Sequence, residues 1–327
     1  MSNRTPGQWL YDRPMEEIRK PDVDQDAVRD IADRALPGTG DPEVARTPGG
    51  TTTQIYRVRR DGATLFVRIA EDAEDSMAME AWVHRELRRR GVRVPEVVLL
   101  EPFDERIDRS VMVTTEIPGH SIRDGAGAGL HNVLVEAGRD LARIGEVPVR
   151  GFGWIRRDPA ATSLEADLLS ARSLMLDQVD EHLAGLRDGL LDRREVAAIE
   201  RAVELQAGVL QDEPSRLAHG DYDDTHIYRE GRRYTGLIDF GEIRGAPRLY
   251  DAAHYALHDR SSRPTLPSLV AGYAEVAPLP DDHEERIAML SLLIGIRVLA
   301  IVAGRPEPAY QRSLRERVLE VTKSLPS

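Results

Sequence analysis

Between residues 217 and 251 the chain reads LAHGDYDDTHIYREGRRYTGLIDFGEIRGAPRLYD. Two β-prone segments, Thr225 to Tyr228 and Tyr234 to Phe240, flank Arg229-Glu230-Gly231-Arg232-Arg233. Runs rich in Ile, Tyr and Thr on either side of a glycine-containing turn predict a β-hairpin. A hairpin of this length brings His226 and Asp239 together at its open end. Asp221, in His219-Gly220-Asp221, stands on the loop just before it. Three polar groups beside one pair of strands suit a metal and phosphate site. His219-Gly220-Asp221 taken alone also fits a turn whose aspartate caps a neighbouring element. The ordered set, closed by Ile238-Asp239-Phe240-Gly241, points to chemistry.

The rest of the chain bounds what that chemistry serves. Its 327 residues suffice for one large domain or two lobes with ample core. Hydrophobic residues at 41% and charged residues at 31% match a soluble globular protein. A net charge of −12 speaks against a nucleic-acid binder, whose phosphate contacts need clustered Lys and Arg. It keeps the surface soluble and suits a cationic or neutral small substrate. Cysteine is absent, which excludes disulfide and thiolate chemistry and fits an expected cytoplasmic location. The opening MSNRTPGQWLYDRP lacks the apolar core of a signal peptide. The longest apolar run, 287–303, contains Ser291, Gly295 and Arg297, so a buried helix is expected there and no membrane span.

In chain order, 1–22 reads as an irregular arm. Residues 24–36 place Val28, Ile31, Ala32 and Ala35 on one helical face before Pro37-Gly38-Thr39-Gly40. Pro48-Gly49-Gly50-Thr51-Thr52-Thr53 then precedes a strand, an Asp61-Gly62 turn and a second strand, Thr64 to Ala70. Paired glycines let backbone N–H groups approach phosphate oxygens and threonines add donors, although the same residues also make a plain turn. Arg68 is a lone cation within its apolar run, facing either the surface or a site. A helix over 75–90 turns Met79, Trp82, Val83 and Leu87 inward. A strand over 110–117 ends at Pro118-Gly119.

Beyond it the chain is mostly helical, with a helix over 133–144. Thr162 and Glu165 form a capping box opening a helix whose stripe is Leu164, Leu168, Ala171, Met175 and Val179. Another amphipathic helix, 193–209, leads into the central stretch. His254, Tyr255 and His258 read as packing residues on the helix after Asp251, some able to line a substrate cleft. His283, amid Asp281, Asp282, Glu284 and Glu285, reads as solvated.

The motifs resemble the catalytic core of the aminoglycoside phosphotransferase and macrolide kinase family, protein-kinase-like small-molecule kinases. These carry His-Gly-Asp-x4-Asn followed by Ile-Asp-Phe or Ile-Asp-Trp. The resemblance covers residues 45–260 and implies an α+β, bilobal protein-kinase-like fold. A small β-rich nucleotide-binding lobe, 1–117, would precede a larger, mainly helical catalytic and substrate-binding lobe, 118–327. The resemblance implies that Asp221 is the catalytic carboxylate and that His226 and Asp239 hold Mg2+. His226 departs from the commoner Asn, and macrolide kinases show a similar His. Gly49, Gly50, Thr51 and Thr52 would line the phosphates. Arg68 would grip the α- and β-phosphates, paired with Glu80, with Glu86 the alternative. The Thr115 carbonyl and Ile117 N–H would meet the adenine or guanine edge, unless this stretch only joins two sheets. Thr114 and Glu116 would point elsewhere. Asp251 matches the family's Gly-x-Pro-x-x-x-Asp segment and would brace the catalytic loop.

The implied reaction moves the γ-phosphoryl group of ATP or GTP to a hydroxyl of a small molecule, with an antibiotic the leading acceptor class. A sugar or metabolic alcohol is the alternative acceptor. Against a protein kinase, the loop reads His-Gly-Asp and no Ala-Pro-Glu follows Asp239. A nucleotide-binding pseudokinase or regulatory protein is the rival from another class, since His226 and Arg68 both depart from the commonest residues. The presence of both Asp221 and Asp239 favours an active enzyme.

Overall fold

The computed structural model describes residues 22–47, 53–124, 129–158, 162–187, 189–210, 213–259, 264–305 and 307–326. Gly49, Gly50, Thr51 and Thr52, and nearly all of the expected N-terminal arm, lie outside the described residues. The chain divides into two compact units. One comprises 1–118 with 156–162 and 235–238, and the other 119–155, 163–234 and 239–327.

The first unit is built on an antiparallel sheet of β1 (Glu43–Arg46), β2 (Gln54–Arg60), β3 (Ala63–Ile69), β4 (Val97–Asp104) and β5 (Arg109–Thr115), in the order β1-β2-β3-β5-β4. Asp61 and Gly62 join β2 to β3 with φ of 51° and 82°. Two successive positive φ values give the primed turn whose twist matches its strands. Strand alternation then sorts the side chains. Val67, Ile69, Val111 and Val113 face helix α1 (Gln25–Ala35), whose Val28 and Ile31 are fully buried. Each such side chain is worth about 1.5–3 kcal/mol relative to exposure. On the opposite face Met112 packs with Met77 and Ala81 from the start of helix α2 (Ala78–Arg89). Arg68, paired with Met112 across the strands, falls on that second face. Trp82, expected inward, is instead 37% exposed, because Glu80 and His84 occupy the buried stripe of α2.

In the second unit, helix α3 (Leu130–Ile144) packs on α8 (Leu266–Ala274) at backbone contact. A Cβ on Gly138 would lie 2.0 Å from the Leu269 carbonyl oxygen, and one on Gly272 would lie 1.9 Å from that of Val135. Between α3 and α8 come α4 (Ala171–Leu176), α5 (Val179–Leu186), α6 (Arg193–Gln206) and α7 (Tyr250–His258), and after α8 come α9 (His283–Val302) and α10 (Pro308–Ser324). The apolar run at 287–303 is the buried body of α9, and no described helix is long and apolar enough to cross a membrane.

The expected helix start at Thr162 is not where the chain begins to coil. Residues 164–168 lie extended against 150–152, with hydrogen bonds such as Arg150 N–H to the Leu164 carbonyl and Phe152 N–H to the Leu168 carbonyl. Glu165 pairs with Arg150 instead of closing a capping box. Ser170 caps α4, accepting from the Ser173 N–H at 3.1 Å.

Two short sheets frame the central stretch. One has the order β7-β11-β8, from β7 (Gly153–Trp154), β8 (Arg216–Ala218) and β11 (Arg244–Ala246). The other contains the expected hairpin, β9 (Ile227–Glu230) and β10 (Arg233–Leu237), with β6 (His120–Ser121) beside β9.

Candidate active site

β8 delivers His219, Gly220 and Asp221 at its end. The Asp251 carboxylate, near the start of α7, accepts the N–H groups of His219 at 2.7 Å and Gly220 at 2.9 Å. Burial pushes the Asp251 pKa up to about 6, against the pull of these two bonds. Gly220 has a φ of 88°, and a Cβ there would lie 2.0 Å from the Glu242 carbonyl oxygen. Gly220→Ala should therefore lower stability by more than the roughly 1–2 kcal/mol that left-handed backbone costs an L-residue. Urea unfolding of both proteins measures this.

The fully buried His219 ring packs 4.6 Å from Phe240 and 5.6 Å from His226, between centroids. This contact ties the His-Gly-Asp loop to the Ile-Asp-Phe-Gly segment. Arg244, also buried, is held between Trp154 and Tyr250 at 4.6 Å and 5.4 Å from their ring centroids. It donates to the Glu242 carboxylate at 3.0 Å and the Tyr250 hydroxyl at 3.0 Å.

Within this frame Asp221, His226 and Asp239 come together as expected. His226 Nδ1 lies 2.7 Å from the Asp221 carbonyl oxygen, which can only accept, so Nδ1 carries the hydrogen. The other ring nitrogen, Nε2, lies 3.8 Å from Asp239 Oδ2. Asp239 takes a φ of 65° and ψ of 68°, a left-handed conformation for a residue with a side chain. Such positions cost about 1–3 kcal/mol and cluster at functional sites.

Burial, reinforced by the Asp223 and Asp239 charges and opposed by His226, raises the Asp221 pKa. Its side chain nevertheless remains 43% exposed. Burial lowers the His226 pKa, but Asp239, Asp221 and Asp223 outweigh it and the net shift is upward.

The donor set fits a divalent cation. A metal-ligating histidine characteristically donates its other ring N–H to a carbonyl or carboxylate, as His226 does. Asp221, Asp223 and His226 also have donor atoms within 4.8 Å of one another. Asp223, however, accepts the Thr225 N–H at 2.7 Å and the Thr225 hydroxyl, and Nδ1 of His226 is committed to the carbonyl. The Nε2 side, toward Asp239, is where a cation fits.

In the first unit, Arg68 Nη1 lies 2.6 Å from Glu80 Oε1, both side chains buried. Glu86 pairs with Arg89 and Arg90 on its own helix, leaving Glu80 as the partner of Arg68. Thr115 ends β5, its N–H donating to the Glu96 carbonyl at 2.9 Å and its hydroxyl accepting the Glu96 N–H at 2.9 Å. Ile117 follows two residues on. Thr114 is buried, and Glu116 pairs with Arg57 at 2.8 Å.

His254 belongs to the second unit's cluster although sequence reading leaves it among packing residues. Its Nε2 lies 3.5 Å from Asp221 Oδ1. The available signal is spacing: 251, 254 and 258 share one face of a helix.

The model of the phosphotransferase enzyme family matches residues 43–289. The chain belongs to this family. It is accordingly a small-molecule kinase. Solved structures share its fold at low identity. Aminoglycoside phosphotransferase APH(4)-Ia is 16% identical with a TM-score of 0.69, over 93% of this chain and 100% of that one. A candidate fructosamine-3-kinase from Thermobifida fusca is 19% identical with a TM-score of 0.59, over 90% and 98%. The GDP and kanamycin complex of APH(2")-IIia is 15% identical with a TM-score of 0.63, over 90% and 97%. A comparison with curated proteins found no match. The likeness establishes the α+β, protein-kinase-like fold, with a sheet-rich N-terminal part and a helical C-terminal part.

Proposed function

We propose that this kinase moves the γ-phosphoryl group of ATP or GTP to a hydroxyl of a cationic small molecule such as an antibiotic, with Asp221 as catalytic carboxylate. The observation carrying the proposal is the grouping of Asp221, His226 and Asp239, with the His226 tautomer held by the Asp221 carbonyl. Asp221 orients the acceptor hydroxyl and takes its proton as the new O–P bond forms. Its raised pKa suits a base that must be ionised at neutral pH yet readily accept a proton. His226 Nε2 and the Asp239 carboxylate would hold Mg2+, which when bound offsets charge developing on the phosphates. Arg68, kept in place by Glu80, would bind phosphate oxygens through its planar fork of donors. Gly49, Gly50, Thr51 and Thr52 would supply further donors. The Thr115 carbonyl and Ile117 N–H would read the base edge.

The chain's net charge of −12 supports a cationic acceptor. A thermostable mutant of APH(4)-Ia is solved with AMP-PNP and hygromycin B, and APH(2")-IIia with GDP and kanamycin. The fold likeness to a candidate fructosamine kinase supports a second reading, a glycated amine or sugar acceptor. Incubating the protein with ATP or GTP and a panel of aminoglycosides, macrolides and fructosamines separates the two. Mass gain of one phosphoryl group on an antibiotic supports the first reading, and gain only on fructosamines replaces it with the second.

His226 gives a pH signature. Imidazole binds metal only when unprotonated, and the raised His226 pKa extends proton competition toward neutral pH. At limiting Mg2+, activity should fall on the acid side, and added metal should move that limb to lower pH. Mn2+ should support turnover well, since imidazole suits softer ions. In His226→Asn the metal-reversible part of the limb should vanish while turnover persists. Identical acid limbs in both proteins at every metal concentration would remove His226 from the metal site.

A further inference from the structure

Asp221 has a neighbour with no role in the reaction just described. His254 on α7 is 5% exposed, and its Nδ1 lies 3.2 Å from the Tyr222 carbonyl oxygen. A carbonyl only accepts, so Nδ1 carries the hydrogen and the neutral ring has its lone pair on Nε2. Burial, then the adjacent His258, hold the His254 pKa well below its usual range, which keeps the ring neutral.

The ring is also clamped. His258 lies 4.5 Å away between centroids, its Nδ1 hydrogen-bonded to the His254 carbonyl at 3.0 Å and its Nε2 3.1 Å from the Tyr310 hydroxyl. The lone pair on Nε2 thus meets Asp221 Oδ1 at 3.5 Å. A lone pair and an ionised carboxylate oxygen are two acceptors, and the pairing becomes attractive only with a proton between them. Asp221 enters that state when it takes the acceptor's proton. Catalytic hydrogen bonds commonly shorten as the substrate engages.

We propose that Asp221 Oδ1 receives the acceptor's proton and that His254 Nε2 accepts the hydrogen bond of the new O–H, making His254 a positioning residue for phosphoryl transfer. The inference rests on the reading of Asp221 as the base. In the step, the acceptor O–H bond breaks and its proton goes to Oδ1. The hydroxyl oxygen's electron pair forms the new O–P bond. The bond from phosphorus to the leaving oxygen breaks, its pair staying on the nucleoside diphosphate. His254 keeps its charge throughout. Its hydrogen bond forms as the carboxyl becomes protonated, so it favours and orients proton transfer to Oδ1 over Oδ2.

Two substitutions separate this role from pinning of the loop. Asparagine places its amide N–H near the position of Nδ1, so His254→Asn keeps the bond to Tyr222 and loses the acceptor facing Asp221. Glutamine reaches the position of Nε2, so His254→Gln keeps an acceptor there and loses the pin. Rates are read as γ-phosphoryl loss from ATP, to kanamycin and to water, with thermal melts alongside. His254→Asn should lower kcat about 10–100-fold with KM for ATP unchanged, the scale of a small misplacement. His254→Gln should stay within about threefold of wild type. Equal losses in both, or a wild-type rate in His254→Asn, overturn the proposal. Nitrogen-15 NMR of labelled histidine gives an activity-independent check: an Nδ1–H tautomer is expected, and an Nε2–H tautomer overturns it. Asp221→Asn runs as the control. If that variant keeps its rate, the reading of Asp221 fails; if it is inert while His254→Asn is unaffected, only this inference fails.

Discussion

Asp221→Asn is expected to slow phosphoryl transfer by about 10²–10⁴-fold, the range for losing a general base. That corresponds to about 3–5 kcal/mol of barrier. Nucleotide affinity should change little, because the reading gives this carboxylate to the acceptor hydroxyl and not to the phosphates. The fold should persist, because Asn matches Asp in size and the loop is held through the His219 and Gly220 N–H groups by Asp251. Steady-state kinetics with a nucleotide-binding titration on the same preparation test both halves. Near-wild-type turnover would exclude Asp221 as the base.

Asp239→Ala should lose turnover and, unlike Asp221→Asn, also lose metal-dependent nucleotide affinity. The carboxylate would hold the cation, which when bound would offset phosphate charge, so its removal would also weaken nucleotide binding. Its backbone offers a second, independent readout. At φ 65° the position is strained for any side chain, and glycine relieves that strain. Asp239→Gly should therefore be about 1–2 kcal/mol more stable than Asp239→Ala while equally inactive. Calorimetric titration with Mg2+ and nucleotide, together with chemical unfolding, distinguishes these effects. Unchanged affinity in the alanine variant would reduce Ile238-Asp239-Phe240-Gly241 to a structural turn.

The grouping of Asp221, His226 and Asp239 was legible because it is set locally. His219-Gly220-Asp221 needs a left-handed glycine, and the hairpin after it is announced by Gly231 between β-prone runs. Asp239 is placed by following that hairpin to its end. Strand alternation similarly puts Arg68 opposite the α1 face, where Glu80 can meet it. Features set by tertiary contact were not legible. The Thr162 and Glu165 spacing fits a cap, but pairing of 164–168 with 150–152 takes those backbone groups first. Strand β1, Glu43–Arg46, has no fully buried residue and so no apolar run; its partner β2 defines it. Trp82 points outward because a buried ion pair with Arg68 requires Glu80 on the inner stripe. His254 looks like any helical histidine until Asp251 is known to bond the His-Gly-Asp loop, which turns that helix face toward Asp221.

The most direct measurement follows the γ-phosphoryl group itself. ATP and GTP labelled with heavy oxygen in the γ-phosphate are incubated with wild-type protein, or with Asp221→Asn, and the acceptor panel. Mass spectrometry then locates the label. The account predicts labelled phosphate on a hydroxyl of one small molecule with wild type and essentially none with the variant. Label recovered only as inorganic phosphate, at equal rates from both proteins and with no acceptor gaining mass, would contradict it.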